Sequence, residues 1–278
     1  MGLVNAQLSF EFFPPRTEKG RATLIRMAQR LDGQDPAFCS VTYGAGGSTR
    51  DRTFETVAAL MADGINAVPH LSWGADSAVS VTQLIARYRI MGCKRIVALR
   101  GDLPSGMGMR SNIRYAEDLV RLIREEFADA FHIEVGAYPE IHPDASSPDE
   151  DVAYLKRKMD AGADSCITQY FYNADSYFYF LDKCRAAHID APIVPGIMPI
   201  TNHDGLARFS DNCGAEIPRW IRLRLENYRD DEVAINEFGV EVVTRLCERL
   251  LEGGAPGLHF YTLNKAGPTE AITRNLSL

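Results

Sequence analysis

The chain has 278 residues, 46% of them hydrophobic and 24% charged, with a formal net charge of −7 and a pI of about 5.4. That length and apolar content bury a large single core, and an acidic chain without a lysine- or arginine-rich run argues against nucleic acid as a partner. No apolar stretch approaches the ~20 residues that a bilayer requires, and the start Met1–Phe10 lacks the charged-then-apolar pattern of a signal peptide, so a cytoplasmic protein is expected.

Six cysteines (Cys39, Cys93, Cys166, Cys184, Cys213 and Cys247) show neither CxxC pairing nor zinc-like spacing with histidine. They read as reduced, mostly buried thiols, and no metal site is expected.

Taken in chain order, short apolar runs alternate with stretches of helical period. Strands are predicted at Leu8–Phe13, Phe38–Tyr43, Asn66–Leu71, Arg95–Arg100, His132–Tyr138, Ser165–Phe171, Pro192–Ile197 and Leu258–Thr262. Most are apolar on both faces, as parallel strands covered by helices are. Helices are predicted at Ala22–Leu31, Thr53–Met61, Val79–Met91, Tyr115–Phe127, Asp149–Asp160, Ser176–Ala187 and Glu232–Leu251. Ser147, Pro148 and Glu150 spell a capping box, and Gly92 and Gly162 are helix stop signals. Before the last strand the gap doubles, and an extra helix at Leu206–Asp211 with a loop at Ile217–Tyr228 fills it. Strand–helix units of roughly thirty residues match a (β/α)8 barrel, with a doubly wound sheet as the rival. No linker divides the chain, so residues 1–278 read as one domain.

A barrel of this kind works at the C-terminal ends of its strands. Those ends carry Glu11 and Arg16, Thr42 and Tyr43, His70, Arg100 and Asp102, Tyr138, Glu140 and His142, Gln169, and Tyr261 with Asn264. The opposite ends carry little comparable polar chemistry. Glu11 lies among apolar residues, where a carboxylate is costly unless paired or neutral. It reads either as a structural ion pair, with Arg16 or another strand's arginine, or as a general acid in a setting supplied by Phe10, Phe12 and Phe13. The segment 44–47 is a glycine-rich turn without the dinucleotide or P-loop pattern. His70, His132 and His142 fit hydrogen-bonding roles better than metal ligation. The aromatic run from Tyr170 to Tyr179 reads mostly as core.

At this point the blocks Glu11–Arg16, Val41–Ala45 with Arg50–Thr53, Pro69–Leu71, Ala98–Asp102, Tyr138–Glu140 with His142–Pro143, Lys156–Lys158 with Asp160–Ala163, Thr168–Gln169, Pro195–Pro199 and His259–Asn264 resemble the methylenetetrahydrofolate reductase family, in family order along nearly the whole chain. The resemblance implies a (β/α)8 barrel with non-covalent FAD. It also implies ping-pong hydride transfer from NADH or NADPH to 5,10-methylenetetrahydrofolate, giving the 5-methyl product. A dimer or tetramer is implied, and the absence of a regulatory domain points to a bacterial-type catalytic barrel.

Residue by residue, the resemblance makes Glu11 the general acid and Asp102 the aspartate beside the flavin ring, both also touching substrate. It gives Thr42, Tyr43, Ala45, His70, Arg100, Gly101, Asp102, Ala116, Tyr138, His142, Ala145, Asp151, Arg157 and Lys158 to the cofactor. Thr42 stands near the nicotinamide, and Arg157 and Lys158 offer cations to the pyrophosphate. Gln169, Phe209, Tyr261 and Lys265 go to the substrate. The sequence departs from the family pattern at Trp73, Asn173, Gly205 and Lys265, and lysine cannot reproduce an arginine fork. The alternatives are a flavin-free barrel with direct hydride transfer, a folate-binding barrel without activity, and a methyltransferase barrel.

Overall fold

A computed structural model describes residues 6–43, 47–73, 77–100, 115–229 and 231–278. Eight parallel strands close into a barrel in sequence order: β1 (Gln7–Phe12), β2 (Phe38–Val41), β3 (Ala67–Ser72), β4 (Arg95–Leu99), β5 (His132–Ala137), β6 (Ser165–Tyr170), β7 (Ile193–Ile197) and β8 (Gly257–Tyr261). The helices are α1 (Glu18–Asp32), α2 (Gly47–Ala62), α3 (Ala78–Met91), α4 (Ala116–Phe127), α5 (Pro148–Asp160), α6 (Ala174–Ala186), α7 (His203–Cys213), α8 (Arg219–Tyr228), α9 (Glu232–Glu252) and α10 (Ala266–Asn275). None of the described helices is long and apolar enough to cross a membrane.

By internal contacts the chain groups into two units, one of Met1–Leu8, Ala137–Lys156 and Ile167–Leu278, the other of Ser9–Gly136 and Arg157–Cys166. In the second unit the register sets Glu11 of β1 beside Ser40 of β2, and His70 of β3 beside Val97 of β4. In the first, Gly196 of β7 lies beside His259 of β8.

Local chemistry accounts for the helix ends. Thr17 accepts the Gly20 N–H at 3.1 Å and starts α1. Gly92 and Gly162 follow α3 and α5 at φ of 100° and 113°, a left-handed conformation that glycine adopts at little cost. Ser147 caps α5 through the Glu150 N–H at 3.2 Å, but the Glu150 carboxylate takes the N–H and hydroxyl of Ser146 at 2.7 and 2.6 Å. The capping residues are those expected, with the reciprocal bond moved back by one residue.

Two segments differ from the sequence reading. The predicted loop at Ile217–Tyr228 is largely α8, because Ile221 and Leu225, four residues apart, both bury completely while arginines occupy the other faces. Helix α10 escaped notice because its buried stripe is made of Ala266, Thr269, Ile272 and Thr273, a pattern with only one large apolar residue.

The expectation of little polar chemistry at the N-terminal strand ends is also corrected. Glu134 on β5 is 2% exposed and is ion-paired with Arg95 of β4. The Ser165 hydroxyl donates to Glu134 at 2.6 Å, and His132 Nε2 lies 2.6 Å from that hydroxyl and 3.3 Å from the carboxylate. Burial alone would push the Glu134 carboxyl up. The His132 and Ser165 hydrogen bonds and the Arg95 charge outweigh it and hold the group below its ordinary value. Just outside, Arg124 of α4 donates to the carbonyls of Gly162, Ala128 and Phe131 and to Asp164 at 2.6 Å, which locks two helix-to-strand turns together.

Candidate active site

Glu11 is the fifth residue of β1. Alternation along a strand puts Phe10 and Phe12 on the opposite face, where both are fully buried against the helices. They are therefore not the immediate setting of the carboxyl. Its neighbour is His70 of β3, whose Nε2 lies 3.4 Å from Glu11 Oε2, with both side chains largely buried. An acid and an imidazole held at this separation set two polar groups side by side where a polar ligand can meet both.

In the same unit, Thr42 follows β2. Its N–H donates to the Phe12 carbonyl and its own carbonyl accepts from Thr53, both at 2.9 Å, so the residue that follows β2 is anchored on both sides. Tyr43 follows, half-buried, and Arg100 stands exposed just past β4. Ala116 opens α4, whose first turn is capped by Asp118 accepting the Tyr115 N–H at 3.1 Å. Lys158 near the end of α5 donates from Nζ to the Gly136 carbonyl of β5. Arg157 meets Glu117 at 3.1 Å and remains half exposed. Ala45, Gly101 and Asp102 lie outside the described residues.

The other unit orders a second group. Tyr138 and His142, at the end of β5, pack edge to face at 4.4 Å between ring centroids. The buried Asp151 carboxylate of α5 accepts the His142 N–H at 3.0 Å, and His142 Nδ1 accepts the Asp144 N–H at 3.0 Å, which fixes the ring and the turn that carries Ala145. Glu140 accepts from the Glu216 N–H at 2.7 Å and from Ser176 at 3.3 Å, and its burial pushes the carboxyl up. Ile141 at φ 71° and Leu263 and Asn264 at φ 52° and 57° stand in left-handed backbone just past β5 and β8. Such conformations are costly for branched side chains and cluster at functional sites.

Gln169 is the penultimate residue of β6, half-buried, with its own Oε1 accepting the Tyr170 N–H at 3.0 Å. Tyr261 donates to the Thr168 carbonyl at 2.7 Å, and Thr168 Oγ1 accepts the Gly196 N–H at 2.9 Å. Phe209 projects from α7 with 47% exposure, while its neighbour Ser210 turns inward to Tyr170 at 2.9 Å. Lys265 caps α10, exposed, without a side-chain capping bond. In the aromatic run Tyr170, Phe171, Tyr172 and Tyr177 are core and Tyr179 is exposed, as the sequence suggested.

The departures from the family pattern have local explanations at two positions. Asn173 caps α6 by accepting the Asp175 N–H at 3.0 Å, the same service an aspartate performs. Gly205 gives its N–H to Asn202 at 2.7 Å, and a Cβ there would stand 3.1 Å from that amide oxygen. The Arg95–His132–Glu134–Ser165 network and the Tyr261–Thr168–Gly196 linkage were missed. Each pairs strands through side chains far apart in sequence, and the one available signal was polar residues at inward strand positions.

A closed parallel barrel whose strand ends hold an acid–histidine pair, ordered aromatic and cationic side chains and strained turns is a (β/α)8-barrel enzyme. The family model described as methylenetetrahydrofolate reductase matches residues 4–277. The 5,10-methylenetetrahydrofolate reductase of Salmonella typhimurium is 42% identical over 273 residues, covering 98% of this chain and 90% of that protein. Methylenetetrahydrofolate reductase (NADH) 1 of Arabidopsis thaliana is 39% identical over 285 residues, which cover 97% of this chain and 48% of the plant protein. Among solved structures, an uncharacterised protein from Clostridium thermocellum that binds two copies of 5-methyl-5,6,7,8-tetrahydrofolic acid superposes with a TM-score of 0.68 at 18% identity, covering 98% of this chain and 94% of that one. The chain belongs to the methylenetetrahydrofolate reductase family.

Proposed function

We propose that this chain reduces 5,10-methylenetetrahydrofolate to 5-methyltetrahydrofolate at the expense of NADH or NADPH, with FAD bound and residues 1–278 acting as one catalytic domain. The observation that carries the reading is the Glu11–His70 pair at 3.4 Å in a chain of this family.

The side chains present fit the flavin nucleotide by their chemistry. Lys158 and Arg157 offer cations for a pyrophosphate, and His70, Tyr43 and the fixed Tyr138–His142 ring pair offer planar and hydrogen-bonding surfaces. Ala116 and Ala145 are small and leave backbone accessible, Asp151 holds His142 in place, and Thr42 and Arg100 stand at strand ends. Ala45, Gly101 and Asp102 complete the set by resemblance, which would have Asp102 bring a negative charge to the ring. Bound by these residues, FAD would supply the hydride-transfer chemistry that links the nicotinamide to the folate carbon.

The protein's own task is the proton. Glu11 delivers it to nitrogen 10 of the folate, the five-membered ring opens, and the exposed carbon becomes the hydride acceptor. His70, 3.4 Å away, orients the carboxyl and supplies the route by which it regains a proton. Gln169, Phe209, Tyr261 and Lys265 orient the folate, Phe209 by stacking and Lys265 through an acidic group of the substrate. One proton and one hydride are consumed per methyl formed, so the reaction balances with a single nicotinamide.

The test is an anaerobic spectral titration of the purified protein. The flavin band should bleach with one equivalent of NADH or NADPH and return with methylenetetrahydrofolate. A protein that stays colourless after incubation with FAD contradicts the flavin reading, and NADH oxidation by folate without flavin would then favour direct transfer.

A further inference from the structure

The Glu140 carboxylate joins three elements. One oxygen accepts the Glu216 N–H at 2.7 Å and the other accepts the Ser176 hydroxyl at 3.3 Å. Ser176 lies in the first turn of α6, and Glu216 lies two residues past Gly214, the cap that ends α7. Packing seats the end of α7 on the same turn after β5, since a Cβ at Gly214 would stand 3.3 Å from Pro143 Cγ. One turn earlier, Ser210 meets the Tyr170 hydroxyl of β6 at 2.9 Å. Leu206 and Ser210 form the buried face of α7, and Phe209, next to Ser210, is exposed. The direction of its ring therefore follows the rotation of α7 about its own axis.

We propose that Glu140 is a positioning residue for the folate: its carboxylate holds the C-terminal end of α7 against the turn after β5 and so sets the direction in which Phe209 meets its partner. This rests on Phe209 stacking on the folate as proposed. The turn can serve as a fixed point because its far side is held as well. The Asp151 carboxylate accepts the His142 N–H at 3.0 Å, and His142 Nδ1 accepts the Asp144 N–H at 3.0 Å. Ile141, at φ 71°, is tied on both flanks, which is how a branched residue is kept in left-handed backbone. A carboxylate is also a stronger acceptor for the Glu216 N–H than a neutral oxygen. Substrate orientation is sensitive to small displacements of the groups that set it, so a loosened α7 weakens the contact that Phe209 makes.

The experiment uses the full chain loaded with FAD, in steady-state kinetics with the folate varied and in amide hydrogen exchange. Glu140→Ala should raise the KM for methylenetetrahydrofolate about ten-fold with kcat and flavin content nearly unchanged. Exchange at the amides of the last turn of α7 and of Glu216 should speed up, a readout that needs no activity. Glu140→Gln keeps an oxygen for the Glu216 N–H and should return KM to within about two-fold of the unmodified chain. Added to Phe209→Ala, the Glu140→Ala change should raise KM by less than about two-fold, because residues acting through one contact are not additive. Glu140→Asp, one methylene shorter, keeps the charge and should raise KM in the same direction if Glu140→Ala does not fold. An unchanged KM in the Ala or Asp variant overturns the proposal. So do additive effects of Glu140→Ala and Phe209→Ala, or a Gln variant that is not rescued. An unmodified chain without folate reductase activity overturns the folate reading itself, whereas an active chain whose KM ignores Glu140 overturns this inference alone.

Discussion

The hydroxyl of Tyr261 donates to the backbone carbonyl of Thr168 at 2.7 Å, reaching from β8 to β6. It passes over Gly196 of β7, where an added Cβ would lie 2.1 Å from the Thr168 oxygen and 2.6 Å from the Tyr261 ring. The glycine is there because three strands come together through one side chain, and the carbonyl it protects belongs to the residue before Gln169. Removing the hydroxyl in Tyr261→Phe should cost about 1 kcal/mol of stability and raise the KM for folate more than it lowers kcat. Gly196→Ala should cost more, about 3 kcal/mol, since backbone cannot yield to the new methyl. Thermal melts and steady-state kinetics with varied folate check both.

Glu134 makes a pH prediction with a defined sign. Its folded-state carboxyl lies below the ordinary 4.5. The stabilisation it brings is therefore complete above pH 4.5 and is lost as pH falls through the depressed folded value. In Glu134→Gln the unfolding free energy at pH 7 should drop by on the order of 2 kcal/mol, because Arg95 loses its partner while remaining partly solvated. The acid limb of the stability curve below pH 4.5 should also flatten. Urea unfolding at several pH values separates the two effects, and an unchanged acid limb would contradict the assignment.

Five of the six cysteines are buried, and Cys213 alone is partly accessible. Burial pushes the thiol of Cys93 up to about 11 and those of Cys39 and Cys184 up to about 12, which leaves little thiolate to react near neutral pH. Titration of the native protein with a thiol reagent should modify one cysteine rapidly, identified by peptide mapping as Cys213. The remaining five should react only on unfolding.

The cofactor set is tested by Lys158. Lys158→Met keeps the side-chain length on α5 but removes the ammonium that bonds the Gly136 carbonyl and that is proposed to face the flavin pyrophosphate. Loss of a charge-assisted contact of about 1.5–3 kcal/mol predicts FAD binding weakened by about ten- to a hundred-fold. Fluorescence recovery on flavin release measures it, and unchanged affinity removes Lys158 from the set.

Much of this architecture is readable before any coordinates. Each of the eight strands begins and ends within one or two residues of its predicted place, because runs such as Ile96–Ala98 and Ile133–Val135 are buried on both faces and bounded by glycine or polar turns. Helix α8 was not readable, since an arginine-rich stretch with two buried aliphatics carries too weak a period. The neighbours of Glu11 were misjudged for a geometric reason. Adjacent residues in sequence point to opposite faces of a strand, and only register brings His70 alongside. Arg95 and Glu134 are 39 positions apart, and their pairing emerges only when β4 lies against β5. The residue roles that a ligand defines come from the family resemblance alone.

The most direct test of the central claim separates the two half-reactions in Glu11→Gln by stopped-flow absorbance under anaerobic conditions. The account predicts that flavin reduction by NADH proceeds within a few-fold of the unmodified rate. Reoxidation by methylenetetrahydrofolate should slow by about 10²–10⁴, the usual worth of a positioned general acid. Reoxidation by folate at the unmodified rate, or loss of both half-reactions together in a folded variant, would contradict the assignment of Glu11 as the proton donor.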